Sequence, residues 1–199
     1  MTSISFAYIE ELKKILDDFP HAQFEKLIEV LLESYEKGRQ IFVMGNGGSA
    51  STASHLACDI NKGCCLDRDK KFKMICLNDS IPTMLAYGND LSYKDIFVEQ
   101  LKNFFNPADV VIGISGSGNS ANVLQAIEYA NKNDGITVGL CGFSGGSLYR
   151  VAQIPLLVRV DDMQKVEDIH LVIVHMAMRQ IMQRLDAAQT DAPAPKASS

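Results

Sequence analysis

Two short segments, Gly45–Ser51 (GNGGSAS) and Ser115–Ser120 (SGSGNS), concentrate glycine and serine in a pattern suited to holding an anion. Glycines let the backbone come close, free amides at a helix start point at the anion, and serine hydroxyls add donors. Neither segment fits G-x-G-x-x-G followed by an acidic residue about 20 positions on, which excludes a dinucleotide fingerprint. Neither contains GK[ST], which excludes a P-loop. A plain strand-to-helix connection is the simpler reading of one such turn; two serine-rich turns in one chain argue against it. The ligand they suit carries a phosphate.

Two further groups of residues bear titratable side chains at helical spacing. His55 and Asp59 are four apart and share one face, a spacing that suits two ligands of one metal, a base with its partner, or an ordinary surface pair. Late in the chain, KVEDIHLVIVHM holds Glu167, Asp168, His170 and His175. His170 and His175 are about 140° apart around an ideal helix and face different surroundings. Glu167 and His175 are about 80° apart and two turns distant, so both can reach a ligand lying along the helix. Asp168 is a rival partner for His175, and a hydrogen-bonded core position beside Val172 and Val174 is the alternative for that histidine.

The elements that must position these groups follow from the apolar pattern. Ile4–Phe19 and His21–Gly38 have a helical rhythm, with Pro20 between them. Five short apolar runs then read as strands: Gln40–Met44, Phe72–Leu77, Asp109–Ile114, Ile136–Cys141 and Ile154–Val158. Between them Ala50–Asn61, Ile81–Tyr87, Tyr93–Phe105 and Ala121–Asn133 read as helices, and Met163–Leu185 is the longest. Ser49 stands where an N-cap belongs, and GFSGGS after the fourth strand reads as a turn. Continuous apolar strands alternating with helices predict an α/β fold, a doubly wound five-stranded parallel sheet in a three-layer sandwich, with two N-terminal helices. Residues 1–186 form one domain. Within it, 1–38 is a helical pair whose broad apolar face predicts an oligomer interface. The Pro/Ala/Ser-rich stretch 187–199 reads as a disordered tail.

Bulk properties bound the function. A chain of 199 residues with net charge −5 has no basic footprint for nucleic acid. No apolar run approaches the roughly 20 residues that cross a bilayer. Glu10, Glu11, Lys13 and Lys14 within Met1–Leu16 do not fit a signal peptide, so the expected compartment is the cytoplasm, with no membrane partner. Cys58, Cys64, Cys65, Cys76 and Cys141 lack the spaced pairs of a zinc knuckle and are expected as reduced, mostly buried thiols.

GNGGS with a following helix carrying His55, then GISGSGNSANV (113–123), then a late helix with EDIH and His175, resembles the sugar isomerase (SIS) domain family. Within it the similarity is to phosphoheptose isomerases, over most of residues 5–185, and YGND (87–90) and FSGG (143–146) fit the same pattern. The resemblance implies isomerisation of sedoheptulose 7-phosphate to D-glycero-D-manno-heptose 7-phosphate, a homotetramer, and a zinc ion. Carried over by position, Ser49, Ser115, Ser117 and Ser120 hold the phosphate of a phosphorylated sugar, with Gly47, Gly48 and Gly116 in the same turns. Asn46 and Asp79 contact the sugar. His55, Asp59, Glu167 and His175 form the metal cluster, of which Asp59, Glu167 and His175 are the catalytic candidates. The chain departs from the family pattern at Asp59 and Glu167, usually glutamate and glutamine, at Gly63, usually arginine, at Gln164, usually aspartate, and at Gly116, usually threonine. Those departures keep two alternatives open: another ketose phosphate as substrate, or a non-catalytic SIS module of the kind that binds the replication initiator.

Overall fold

The computed structural model describes residues 3–190. Its elements run α1 (Ile4–Asp17), α2 (His21–Lys37), β1 (Gln40–Gly45), α3 (Gly48–Cys58), β2 (Lys73–Cys76), α4 (Ile81–Asp90), α5 (Val98–Phe104), β3 (Val110–Ser115), α6 (Ala121–Lys132), β4 (Ile136–Gly142), α7 (Gly146–Val151), β5 (Ile154–Val158) and α8 (Met163–Thr190). All five strands are parallel, in the order β2-β1-β3-β4-β5. Alternate residues of each strand feed opposite layers. Ile41, Val43, Ile112 and Leu140 pack with α2, α3 and α8, while Phe42, Met44, Val111 and Cys141 pack with α5, α6 and α7. A parallel sheet covered on both faces requires this continuous apolar pattern. The predicted three-layer α/β sandwich is the fold.

Several local expectations change. Ser49 is the second residue of α3 and buried, and Gly47 occupies the cap at φ 54° and ψ −123°, a conformation only glycine adopts readily. The helix expected to reach Asn61 passes at Asp59 into a π-turn, Asp59–Gly63, closed by the Cys64 amide on the Asp59 carbonyl at 3.1 Å. Tyr93–Phe105 divides into a 3₁₀ turn, Tyr93–Asp95, and α5. GFSGGS is not only a turn, because its last two residues begin α7. Helix α8 continues to Thr190, so 187–190 is helical, and the rest of the expected tail lies outside the described residues.

The N-terminal helices part company. Phe24, Leu27, Ile28 and Leu31 of α2 lie in the core beneath the sheet and α8, so the face assigned to a subunit interface on that helix is internal. Helix α1 buries none of its residues. Among the described residues no helix is long and apolar enough to cross a membrane. All five cysteines are free; four are buried and Cys58 is exposed.

Candidate functional site

Strand β1 is followed in space by β2 on one side and β3 on the other, so the chain order reverses between β1 and β3. Ligands of open α/β sheets bind beyond the strand ends at such a switch point. The turns leaving β1 and β3 meet there and line a cleft of about 280 Å³ with Asn46, Gly47, Gly48, Ser49, Ser115, Gly116, Ser117 and Ser120, closed by Met163 and Glu167 of α8. All the turn residues named from sequence converge except Asp79. That residue is exposed and lines a separate depression with Ser54, Cys58, Asn61 and Lys62.

The second turn is rigid. Ser115 and Ser120 hydroxyls lie 3.0 Å apart, and Gly118 adopts φ 66° with its amide on the Ser115 carbonyl at 2.9 Å. A Cβ on Gly118 would overlap the Gly145 carbonyl, and one on Gly146 would come within 2.6 Å of the Ser117 carbonyl. Backbone therefore packs on backbone between SGSG and FSGG. The Leu148 amide on Gly118, the Ser147 amide on the Asn119 side chain and the Gly142 amide on Gly116 complete the joint, at 2.8–3.0 Å. Among the described residues no cationic side chain lines the cleft, so what it offers an anion is amides and hydroxyls.

The first turn begins α3, and its acidic neighbour comes from α8. A Cβ on Gly48 would overlap the Glu167 carboxylate, which places that carboxylate over the start of α3, where the helix dipole favours negative charge. Along the same two helices lies the second cluster. His55 Nε2 is 3.0 Å from His175 Nε2 and 3.2 Å from Asp59 Oδ2. The three offer ligand atoms within 4.8 Å of one another. Glu167 is not in that group; it belongs to the serine cleft. Asp168 accepts from the Tyr8 hydroxyl of α1 at 2.6 Å and is no partner of His175. His170, not His175, is the core histidine: it is fully buried, and burial pushes its pKa down to about 4, against the smaller opposing pull of the Cys141 backbone.

Ligands about 2.0–2.1 Å from a tetrahedral ion stand about 3.3 Å apart. The separations of 3.0 and 3.2 Å fit that edge, and two imidazole nitrogens with one carboxylate are a donor set that suits zinc with one position open.

Three residues of the site were not read from sequence. Asn122 and Tyr93 hydrogen-bond the Asn46 carboxamide, and Asn78 joins β2 to β1 through the Gly45 amide and carbonyl. Asn122 had a signal, since a polar residue stands on the inward face of α6 beside Val123 and Ala126. Asn78 and Tyr93 had none.

Comparison with known proteins follows from this geometry. The family model described as the SIS domain matches residues 7–142. A phosphoheptose isomerase of Clostridium acetobutylicum is 34% identical over 184 residues, 92% of this chain and 93% of its own. One from Helicobacter pylori is 35% identical over 170 residues, 85% of this chain and 88% of its own. The structure of a phosphoheptose isomerase from Francisella tularensis superposes with a TM-score of 0.84 at 27% identity, covering 92% of this chain and all of that one. Matched by the family model over residues 7–142 and by relatives at 34% and 35% identity over most of their length, the chain belongs to the SIS-domain family and, within it, to the phosphoheptose isomerases.

Proposed function

We propose that the chain isomerises sedoheptulose 7-phosphate to D-glycero-D-manno-heptose 7-phosphate, with zinc as its metal. The observation that carries this reading is the division of labour along the α3–α8 seam. At one end stands a cation-free phosphate cleft, with Glu167 at its wall. Two helical turns along α8 stands the His55/Asp59/His175 cluster. Two helix starts face the cleft, and Glu167 covers that of α3. The phosphate therefore takes the start of α6, with Ser115, Ser117 and Ser120 around it.

His55, Asp59 and His175 would hold the zinc ion, which when bound polarises the ketose carbonyl and stabilises negative charge on the enediolate. Asp59 stands where the family pattern has its carboxylate, and only its Oδ2 is turned to His55. It takes the proton from C1 and returns it to C2, while the hydroxyl proton passes from the C1 oxygen to the C2 oxygen. Glu167, at a position where the pattern has glutamine, is the weaker candidate for base and stands at the wall of the phosphate cleft. The chain works as a homotetramer in the cytoplasm in this reading, and α1 supplies an apolar face for assembly.

Incubation with sedoheptulose 7-phosphate, with added zinc or with chelator, should give the aldoheptose phosphate in the first case and little in the second. Asp59→Asn should lower kcat by about 10²–10⁴, the usual contribution of a general base, with a small change in KM. His175→Ala should abolish turnover while inorganic phosphate still binds. Unchanged turnover in both variants would sink the assignment.

A further inference from the structure

The Asn46 carboxamide is held from two directions. Its Nδ2 donates to Asn122 Oδ1 at 2.9 Å, and Asn122 Nδ2 donates back to Asn46 Oδ1 at 2.9 Å. The Tyr93 hydroxyl donates to the same Asn46 oxygen at 2.9 Å. A reciprocal amide pair is symmetric by itself, because turning both carboxamides over keeps both hydrogen bonds. Here the backbone breaks the symmetry. The Val123 amide donates to Asn122 Oδ1 at 2.9 Å, and a side-chain nitrogen in that place would set donor against donor. Asn122 is 1% exposed, so water does not stand in for the lost partner. Val123 thus fixes Asn122, and Asn122 fixes Asn46.

The count of donors and acceptors then decides what Asn46 can offer. Both lone pairs of its oxygen are taken, by Asn122 and Tyr93, and one of its two N–H groups is spent on Asn122. One N–H remains, on a residue that stands between the serine cleft and the adjoining cavity beside Tyr93. Tyr93 is itself well placed to hold this arrangement. Two residues on, Asp95 accepts from Ser92 Oγ at 2.5 Å and from Gln125 Nε2 of α6 at 2.8 Å, so the 3₁₀ turn is tied to the helix that carries Asn122.

We propose that Asn46 reads the sugar as a donor only: its remaining N–H takes a lone pair of a sugar oxygen, and Asn122 and Tyr93 are positioning residues that hold it in that orientation. The inference rests on the cleft being a phosphosugar site. It makes Asn46 blind to a group that can only donate and sensitive to loss of the oxygen it faces.

Tyr93→Phe removes one hydrogen bond to Asn46 and should raise KM for sedoheptulose 7-phosphate about fivefold, the worth of one ordinary hydrogen bond, with kcat within about twofold. In an Asn46→Ala background the same change should have no further effect, because Tyr93 acts through Asn46. In deuterated, ¹⁵N-labelled protein, an Asn46 side-chain N–H resonance should shift on adding the sugar phosphate and stay in place with inorganic phosphate, which fills only the serine turn. The proposal is overturned by a KM that Tyr93→Phe leaves unchanged, by equal effects of that change in both backgrounds, or by an Asn46 resonance indifferent to the sugar. The resonance arm does not need turnover. A chain that shifts at Asn46 but never isomerises the sugar upholds the donor role and refutes the assigned reaction.

Discussion

Two histidines five residues apart on α8 meet opposite surroundings. His175 faces His55 at the surface, and His170 is sealed in the core. Burial holds the His170 pKa down at about 4, below the ordinary value of 6.5. The unfolded chain therefore takes up a proton as pH falls through about 6.5, and the folded chain does not until about 4. Stability is lost across that window, by on the order of 3 kcal/mol for this group. His170→Leu should flatten the fall between pH 6.5 and 4 in denaturant titrations; a pH profile that superposes on the parent's would refute the account. Angular spacing separated these histidines from sequence alone. It did not show which one was buried, because that depends on the side of α8 that meets the sheet. Glu167 shows the same limit, since helical geometry left it equally able to join His175 or the serine turns.

The strands were legible because each is a short apolar run, and β1, β3 and β4 end in glycine or serine; a two-sided parallel sheet demands that apolar composition. The π-turn after α3 was not, because what surrounds it is remote in sequence: a side chain at Gly63 would meet Met178, and Cys64 Sγ lies 3.6 Å from the Met178 carbonyl. Helix α7 was missed because six residues opening on glycine carry no helical period. Its first residues have a definite task, which is to brace the Ser115–Ser120 turn. Gly118→Ala should disturb both turns at once, since a methyl group there overlaps the Gly145 carbonyl and Gly118 is held at φ 66°. The expected loss is about 2–4 kcal/mol of stability, with a weaker affinity for inorganic phosphate. Thermal unfolding and calorimetric titration of the variant check both, and parent-like values in each would mean that the joint yields easily.

At the scale of the whole molecule, α1 leaves an apolar face uncovered. It meets the core through Leu12 and Ile15 and α8 through Tyr8 to Asp168 and Glu11 to Lys165 at 2.6 Å, while Ile4, Phe6 and Ile9 are 87%, 69% and 50% exposed. Such a face is what an assembling subunit presents. Replacing Phe6 and Ile9 together with glutamate should shift the particle towards the 21.9 kDa chain in light scattering. A parent protein already of that mass would remove the premise. The same broad view shows where the histidine pair sits in time. By Val158 the chain holds every strand and both glycine-serine turns, yet His55 must wait for His175 on the last helix. During synthesis all five strands are made before α8, so an ion held between the two imidazoles would be bound only after the residues of the whole sheet exist.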